Sequence, residues 1–329
     1  MTPTEAATSL LAHIGKRAPQ CVLPLPGGRN NRVWRVDCST ESFLLKSYFW
    51  SESDPRDRLG QEWAFLEFLR SIGSCKAPEP LAKDVPSRFA LLEFIAGDPP
   101  QEIMESDILD AAEFLAEMNA QPAFAKNLPS VSEACFSIQA HLETTAARID
   151  RLQQIQSTSE DHEKAVVFIR DTLLPLWHEL RKRIEVLPDS ALHEILAPSE
   201  RCLSPSDFGF HNALRQSDGT LRYVDFEYAG WDDPAKTLID FTNQPDRLLS
   251  ESLAALFLEK TIPFFRNPNA LHRRLALLTP LYQIKWACIC LNAFFPHRPL
   301  DPTRPLAFQL SRSKIMTSRV SAEIAKTPH

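Results

Sequence analysis

The chain has 329 residues, of which 44% are hydrophobic, so it can bury a substantial core and form two lobes. Its formal net charge of −6 disfavours nucleic acid as a partner, because nucleic-acid-binding proteins usually carry a basic face. The most apolar segment is interrupted by Pro280, Gln283, Lys285 and Asn292, which predicts a buried helix rather than a membrane span. The seven cysteines show no CxxC pair, as expected of free thiols in a reducing compartment. A cytoplasmic protein without a nucleic-acid or membrane partner is expected.

The N-terminal part of the chain is expected to form a small lobe of strands with one helix between them. After a short amphipathic helix, the strand-like segments CVLPLPGG and RVWRVDC flank the polar turn GGRNN, and ESFLLKSYF follows with Lys46 at its centre. The segment RDRLGQEWAFLEFLRSIG has apolar residues at helical spacing, and Gly73 stands where this helix is expected to end. The last strand, RFALLEFIAG, leads to a turn at Gly97, so the first lobe is predicted to span residues 1–97.

The pattern beyond residue 97 is mostly helical. ESDILDAAEFLAEMNA is typical of a capped amphipathic helix, and periodic segments at 136–155 and 160–186 predict a helical insertion at about 130–190. Residues 200–245 mix short strands and turns, and the remainder is helical again. This order predicts an α+β fold with a small β-rich lobe and a larger helical lobe at 98–329, because the strands do not alternate with helices as in a βαβ sheet.

The loop LSPSDFGFHNALR and the segment LRYVDFEYAGW place four polar side chains close together. Asp207 and Asn212 are five positions apart in the loop, while Asp225 and Glu227 share one face of a predicted strand. Phosphoryl transfer needs a carboxylate to accept the proton of the attacking hydroxyl, and two oxygen ligands to hold Mg²⁺. The loop pair alone is more typical of turn residues. Burial of the two acids on the strand face, Asp225 and Glu227, is costly without a cation, however. The loop pair and the strand pair together therefore favour a metal site.

Three features of the first lobe have both an ordinary and a functional interpretation. Lys46 either faces solvent or, in a nucleotide-binding lobe, reaches the phosphates, with Glu62 as the first candidate for its partner and Glu67 as the second. The segment between Glu93 and Ile95 is either a connecting strand or a source of backbone hydrogen bonds to an adenine ring. The turn GGRNN is either a hairpin turn or a phosphate-binding loop, since its glycines permit close approach of backbone N–H groups.

Together these segments resemble the aminoglycoside phosphotransferase and choline kinase family, which consists of small-molecule kinases with a protein-kinase-like fold. The resemblance covers residues from about 22 to about 300. GGRNNRVWRV is similar to the nucleotide-loop hairpin of that family, and LLEFIAG to its interlobe hinge. LSPSDFGFHNALR resembles its catalytic loop, and VDFEYAGWDDP its metal-binding strand.

The resemblance implies a role for each matching residue. Asp207 is the expected catalytic base, and Asn212 and Asp225 are the expected Mg²⁺ ligands. Glu227 is expected to serve either a second metal or the substrate. The implied nucleotide site consists of Gly27, Gly28, Asn31, Lys46, Glu62, Glu93 and Ile95. The implied cofactors are ATP and Mg²⁺, and the implied partner is a small-molecule acceptor.

The chain departs from the family pattern at three points. The middle of the family loop usually reads Leu-His-Pro-Gly-Asn, whereas here Phe208, Gly209, Phe210 and His211 precede Asn212. The family loop usually begins His-x-Asp, but Pro205 stands at the His position, and Thr237 stands where the family often has an Asp, with Asp240 three residues on. His211 is expected to be a loop residue or a substrate contact, because Mg²⁺ prefers oxygen ligands. The leading interpretation is an ATP-dependent phosphotransferase that acts on a hydroxyl of an aminoglycoside, amino alcohol or sugar. The alternative is a catalytically weak or inactive nucleotide-binding protein that serves as a scaffold or sensor.

The acceptor is the part of the function that the sequence specifies least. Glu227, Asp232 and Asp233 are expected to make the acceptor region acidic, and Trp231 and Trp286 are expected to lie near it. Acidic and aromatic side chains suit an amine or a quaternary ammonium group. A sugar remains an equal alternative.

Overall fold

The computed structural model describes residues 1–26, 31–296 and 304–326. Within these residues the chain divides into two compact units, each built from segments that are separated in the sequence. The first unit contains Met1–Ala134, Cys202–Trp231 and Ala255–Thr261, and the second contains the remaining described residues. The lobe boundary at residue 97 stays a prediction, because units assembled from several segments do not test a single boundary.

The first unit contains a five-stranded antiparallel sheet in the order β1-β2-β3-β5-β4. Its strands are β1 (Cys21–Pro24), β2 (Arg32–Asp37), β3 (Ser42–Ser47), β4 (Pro80–Asp84) and β5 (Phe89–Glu93). Successive side chains of β3 point to opposite faces, so Leu45 belongs to the core cluster of the sheet while Lys46 faces the other side. Lys46 lies opposite Val33 of β2 and Ala90 of β5. The sheet thus places Lys46 on a central strand.

Three helices and two pairs of short strands complete most of the first unit. The helices are α1 (Pro3–His13), α2 (Arg58–Ser71) and α3 (Glu105–Ala120). The short strands are β6 (Cys202–Ser204), β7 (Ala213–Arg215), β8 (Leu221–Tyr223) and β9 (Gly230–Asp232), of which the last residue of β9, Asp232, is assigned to the second unit. Strand β6 pairs with β9, and β7 with β8. Helix α2 begins at a cap in which Asp57 Oδ1 accepts a hydrogen bond from Gly60 N at 2.9 Å.

The second unit is helical. It contains α4 (Ile138–Leu152), α5 (Glu160–Phe168), α6 (Leu174–Glu185), α7 (Asp189–His193), α8 (Pro234–Thr242), α10 (Pro268–Leu291) and α11 (Leu306–Lys326), while α9 (Glu251–Thr261) has residues in both units. A π-helical turn at Ile169–Leu173 joins α5 to α6, so the segment predicted at 160–186 is helical almost throughout, with this turn in its middle. In the part of the chain that the structure describes, no helix is both long enough and apolar enough to cross a membrane.

Candidate active site

Lys46 is the centre of an ion triad in the first unit. Its Nζ lies 2.6 Å from Glu62 Oε2 and 2.6 Å from Asp225 Oδ1. Lys46 and Glu62 are buried, whereas the Asp225 side chain is partly exposed. Burial lowers the pKa of Lys46, but the charges of Asp225, Glu62 and Glu227 outweigh burial and hold that pKa above its usual value. Lys46 therefore stays cationic, and one of its two carboxylate partners reaches solvent.

The two candidates for the partner of Lys46 occupy different faces of α2. Glu62 faces inward, where its second oxygen, Oε1, accepts a hydrogen bond from Phe226 N at 3.1 Å. Glu67 lies on the exposed face, 3.9 Å from Arg70. Because α2 buries the face that carries Glu62, the structure brings Glu62 and not Glu67 to Lys46.

The loop that carries Asp207 and Asn212 is closed by its own hydrogen bonds. Asn212 Nδ2 donates to Asp207 O at 2.9 Å, and Asn212 N donates to Gly209 O at 3.0 Å. The segment Phe210–Asn212 is a short 3₁₀ turn, after which β7 begins. These bonds hold the backbone of the loop while the Asp207 side chain remains partly exposed.

The pairing of β7 with β8 brings Asn212 next to Asp225. Ala213 lies opposite Tyr223, and Val224 N donates to Asn212 O at 2.9 Å, one residue before Asp225. Because the Asn212 Nδ2 group is engaged by Asp207 O, the side-chain atom of Asn212 that suits a cation is Oδ1. An amide oxygen and a partly exposed carboxylate thus lie on adjoining segments.

The sequence prediction of one strand through Asp225 and Glu227 is wrong. Strand β8 ends at Tyr223, and Asp225 has a φ of 69°, in the left-handed region that residues other than glycine seldom adopt. This turn aims the Asp225 carboxylate at Lys46. Alternation of apolar and polar residues could not reveal it, because the pattern carries no information about the sign of φ. Backbone conformations of this kind concentrate at functional sites.

Glu227 is buried and held on several sides by the protein. Asn31 Nδ2 donates to Glu227 Oε2, Asn31 Oδ1 accepts from Phe49 N at 3.1 Å, and Arg58 Nε lies 3.7 Å from Glu227 Oε2. Burial, together with the charge of Asp225, raises the pKa of Glu227. Arg58 was missed from the sequence, although its position four residues before Glu62 places both on one face of α2. A role for Glu227 at a second metal or at the substrate stays a prediction.

The other residues of the predicted nucleotide site lie at different places in and beside the sheet. Glu93 is the last residue of β5 and lies opposite Phe43 of β3. Phe43 is three residues before Lys46, a distance of about 10 Å along a strand. Its Oε2 lies 2.7 Å from Arg222 Nη2. Ile95 is buried, and Asn31 is the last residue of GGRNN and the one residue of that segment that the structure describes. The predicted phosphate-loop residues Gly27 and Gly28 lie outside the described residues.

The expectation of an acidic acceptor region is not supported by the positions of Asp232 and Asp233. Both side chains are fully buried in the second unit. Lys236 Nζ donates to Asp232, whose pKa burial raises to about 6. Asp233 Oδ2 lies 2.6 Å from Arg274 Nε and 3.0 Å from His141 Nε2. These carboxylates are neutralised within the protein, so they do not form an acidic surface for a cationic acceptor.

Residues 22–260, most of the chain, match the sequence profile of the phosphotransferase enzyme family. The chain belongs to the phosphotransferase enzyme family. Membership of this family confirms the predicted resemblance and the prediction of an enzyme of the small-molecule kinase type. Among curated proteins, none matches the sequence.

Solved structures of kinases share the fold of this phosphotransferase. A spectinomycin phosphotransferase, whose structure contains ADP and spectinomycin, has 11% sequence identity and a TM-score of 0.64, with 96% of this chain and 97% of that chain covered. A choline kinase from Cryptosporidium parvum has 13% identity and a TM-score of 0.60, with 93% and 89% covered. An ethanolamine kinase from Plasmodium vivax has 14% identity and a TM-score of 0.54, with 91% and 82% covered. At such low sequence identities the similarity shows the fold alone. The shared fold confirms the predicted α+β, protein-kinase-like class.

Proposed function

We propose that this phosphotransferase transfers the γ-phosphoryl group of ATP to a hydroxyl group of a small molecule. The observation that carries the proposal is the ion triad of Lys46, Glu62 and Asp225, which adjoins the loop of Asp207 and Asn212 through the bond from Val224 N to Asn212 O. Phosphoryl transfer requires little covalent chemistry from the protein. It requires positioned charges and a base, and these residue types supply both.

Each of these side chains has a role that its environment suits. Lys46 would bind phosphate oxygens, because it is held cationic beside a partly exposed carboxylate, and Glu62 would orient it. Asp207 would accept the proton of the attacking hydroxyl, because its carboxylate is exposed enough to meet an acceptor. Gly27, Gly28, Asn31, Glu93 and Ile95 are proposed to complete the nucleotide site.

The residues present fit Mg²⁺ as the accompanying metal. Asp225 and Asn212 offer a carboxylate oxygen and an amide oxygen, which are ligands that Mg²⁺ prefers. Within the described residues, no group of three or more His, Cys, Asp or Glu side chains could hold a metal ion. Mg²⁺ sites in phosphotransferases use one or two protein ligands together with the substrate phosphates, so such a group is not needed. When bound, the ion would offset the negative charge of those phosphates.

The acceptor and the nucleotide are proposed by analogy with the structures of similar fold. Those structures include choline, ethanolamine and spectinomycin kinases, which supports an acceptor of the amino-alcohol, aminoglycoside or sugar type. The spectinomycin phosphotransferase structure contains ADP, which supports ATP as the donor. Asp232 and Asp233 are paired with Lys236 and Arg274 inside the protein. Their charges therefore give no reason to prefer a cationic acceptor over a neutral sugar.

A panel of acceptors tests the proposal. The protein is incubated with ATP, Mg²⁺ and one compound from a panel of aminoglycosides, amino alcohols and sugars, and ADP release is measured. At least one compound is expected to raise ADP release above the rate without acceptor, and Asp207→Ala is expected to abolish that increase while ATP still binds. An Asp207→Ala variant with unchanged turnover would remove the role proposed for this carboxylate.

The competing hypothesis is a nucleotide-binding protein with little or no catalysis. Two observations favour it: Pro205 replaces the usual loop histidine, and the Asp225 carboxylate is already paired with Lys46. A rise in melting temperature with ATP and Mg²⁺, without turnover of any acceptor, would support this hypothesis over the kinase. Absence of any thermal response to ATP would contradict both.

A further inference from the structure

Asp207 has a neighbouring imidazole that comes from its own loop. His211 Nε2 lies 3.1 Å from Asp207 Oδ1. The His211 side chain is 15% exposed and the Asp207 side chain 40%, so the ring lies mostly inside the protein while the carboxylate reaches solvent. An ionised carboxylate only accepts hydrogen bonds. The Nε2–H group of His211 is therefore the donor, and Asp207 Oδ1 is the acceptor.

The turn of the loop places His211 beside Asp207. The bonds from Asn212 to Asp207 O and Gly209 O close the segment 207–212, which returns residue 211 towards the start of the turn. The neighbouring Phe210 side chain is fully buried and anchors this part of the loop in the core. The hydrogen bond between His211 and Asp207 therefore follows from backbone geometry that the core and the loop maintain.

Hydrogen bonds of the backbone hold the start of the loop, where Pro205 stands at the position of the family histidine. Asp207 N donates to Pro205 O at 3.0 Å, and Ser206 N donates to Ser204 Oγ at 3.0 Å, with Ser206 at a φ of 69°. Proline has no side-chain donor, so residue 205 cannot orient the Asp207 carboxylate by a hydrogen bond. The imidazole next to this carboxylate is supplied from the opposite end of the turn.

We propose that His211 is a positioning residue, whose Nε2–H group holds the Asp207 carboxylate in the orientation that meets the acceptor hydroxyl. This inference rests on the proposed function. A partly exposed aspartate can rotate about its side-chain bonds, and a donor at Oδ1 favours one orientation of the carboxylate over the others. Misplacement of a catalytic group by about 1 Å costs roughly 100-fold in rate, so loss of this donor has a measurable effect.

Paired substitutions separate the donor from the bulk of the ring. His211→Phe keeps a planar ring but removes the donor, and it is expected to lower kcat about 10–100-fold with the KM for ATP unchanged. His211→Gln restores an N–H donor and is expected to recover most of the lost kcat. A wild-type kcat in His211→Phe, or equal losses in both variants, would overturn the proposal.

The chain offers a matched control on α7. His193 Nε2 lies 3.3 Å from Asp189 Oδ1 with the same four-residue spacing, but both side chains are exposed. His193→Phe therefore removes a His–Asp pair of the same kind and is expected to leave kcat unchanged. A loss of kcat in this control equal to that of His211→Phe would count against a specific role for His211.

A spectroscopic readout tests the His211–Asp207 hydrogen bond without turnover. The ring nitrogens of His211 are observed by ¹⁵N NMR in the full-length protein, with Asp207→Ala as the comparison. An Nε2–H signal that shifts in Asp207→Ala is expected, whereas an unchanged His211 spectrum would overturn the hydrogen bond. If the unsubstituted protein shows no turnover with any acceptor, the proposed function fails, and the NMR result then decides the hydrogen bond independently of it.

Discussion

Arg58 and Glu62 lie one turn apart on α2 and hold two successive parts of the segment after β8. Glu62 binds Lys46 at 2.6 Å and accepts a hydrogen bond from Phe226 N at 3.1 Å. Arg58 Nε lies 3.7 Å from Glu227 Oε2. Both helix side chains are almost completely buried. One face of α2 therefore fixes the position of Asp225, which lies immediately before Phe226.

Substitution of Arg58 by methionine is expected to destabilise the protein strongly. The Arg58 side chain is 1% exposed, and its removal leaves the buried Glu227 without this cation. Removal of one partner from a buried ion pair costs about 3–5 kcal/mol, so the free energy of unfolding is expected to fall by that amount. Urea denaturation measures the change.

Arg56 provides the matched control for Arg58. Both arginines bind Asp54 Oδ2, at 2.6 Å and 2.5 Å, but the Arg56 side chain is 41% exposed. Arg56→Met is expected to change the free energy of unfolding by less than about 1 kcal/mol, because solvent screens an exposed pair. Equal losses in the two variants would show that the pair with Glu227 contributes nothing specific.

Lys46→Met is expected to abolish most of the ATP-dependent turnover. The substitution removes the cation that lies between Glu62 and Asp225 and that is proposed to bind phosphate. Loss of one such electrostatic group lowers kcat by about 100–1000-fold. ADP release with the best acceptor measures the loss. Lys83→Met, on β4 with its ammonium group 4.7 Å from the Trp63 ring, is the control and is expected to keep wild-type turnover. Similar losses in both variants would contradict the role of Lys46.

Gly97→Ala is expected to disturb the approach of residue 97 to β7. A Cβ atom at Gly97 would lie 2.6 Å from Arg215 O, a backbone atom at the end of the strand that follows Asn212. Overpacking of this kind costs about 1–3 kcal/mol, and turnover is expected to fall because β7 shifts with it. Thermal unfolding and ADP release measure the two effects.

Gly15→Ala separates lost stability from lost turnover. Gly15 has a φ of 72°, and an added Cβ would meet nothing within 4 Å. The left-handed conformation is expected to cost about 1–2 kcal/mol without an effect on turnover, because Gly15 follows α1, a helix that carries none of the proposed site residues. If Gly15→Ala and Gly97→Ala lower turnover alike, the close approach of residue 97 to Arg215 O does not specifically affect turnover.

His141 is expected to make the stability of the protein depend on pH. Burial lowers the pKa of His141 below its usual 6.5, although Asp233 opposes the effect. Below about pH 6.5 the unfolded chain therefore binds a proton before the folded chain does, so the free energy of unfolding falls as the pH decreases towards the folded pKa. Above that range the contribution is fully present.

His141→Gln isolates this effect, because Gln does not titrate. Urea denaturation at about pH 8 and about pH 5 is expected to show a larger decrease in unfolding free energy for the wild-type protein than for His141→Gln. His272→Gln, on an exposed part of α10, is the control and is expected to keep the wild-type pH dependence. Parallel pH profiles for wild type and His141→Gln would contradict the prediction.

Much of the site could be recognised in the sequence because its residues have fixed spacings. Asp207 and Asn212 lie five positions apart in one loop, and the structure joins them by a direct hydrogen bond. Lys46 could be singled out because a charged residue stands in the middle of an apolar strand. The partner of Lys46 could only be ranked, with Glu62 before Glu67, because both glutamates lie on the same predicted helix. The structure decides between them, since α2 buries the face that carries Glu62.

The sequence by itself determined the family, the largely helical character beyond residue 97, and the residue types available for phosphoryl transfer, because these depend on motifs, spacing and periodicity along the chain. It did not predict β4, nor the end of β8 at Tyr223. Tertiary structure decided the turn at Asp225, the burial of Glu227 beside Arg58, and the pairing of Asp232 and Asp233 with cations. It also brought His211 to Asp207. These features depend on the sign of a backbone dihedral angle and on partners from distant segments, and neither is encoded in the local pattern of apolar and polar residues.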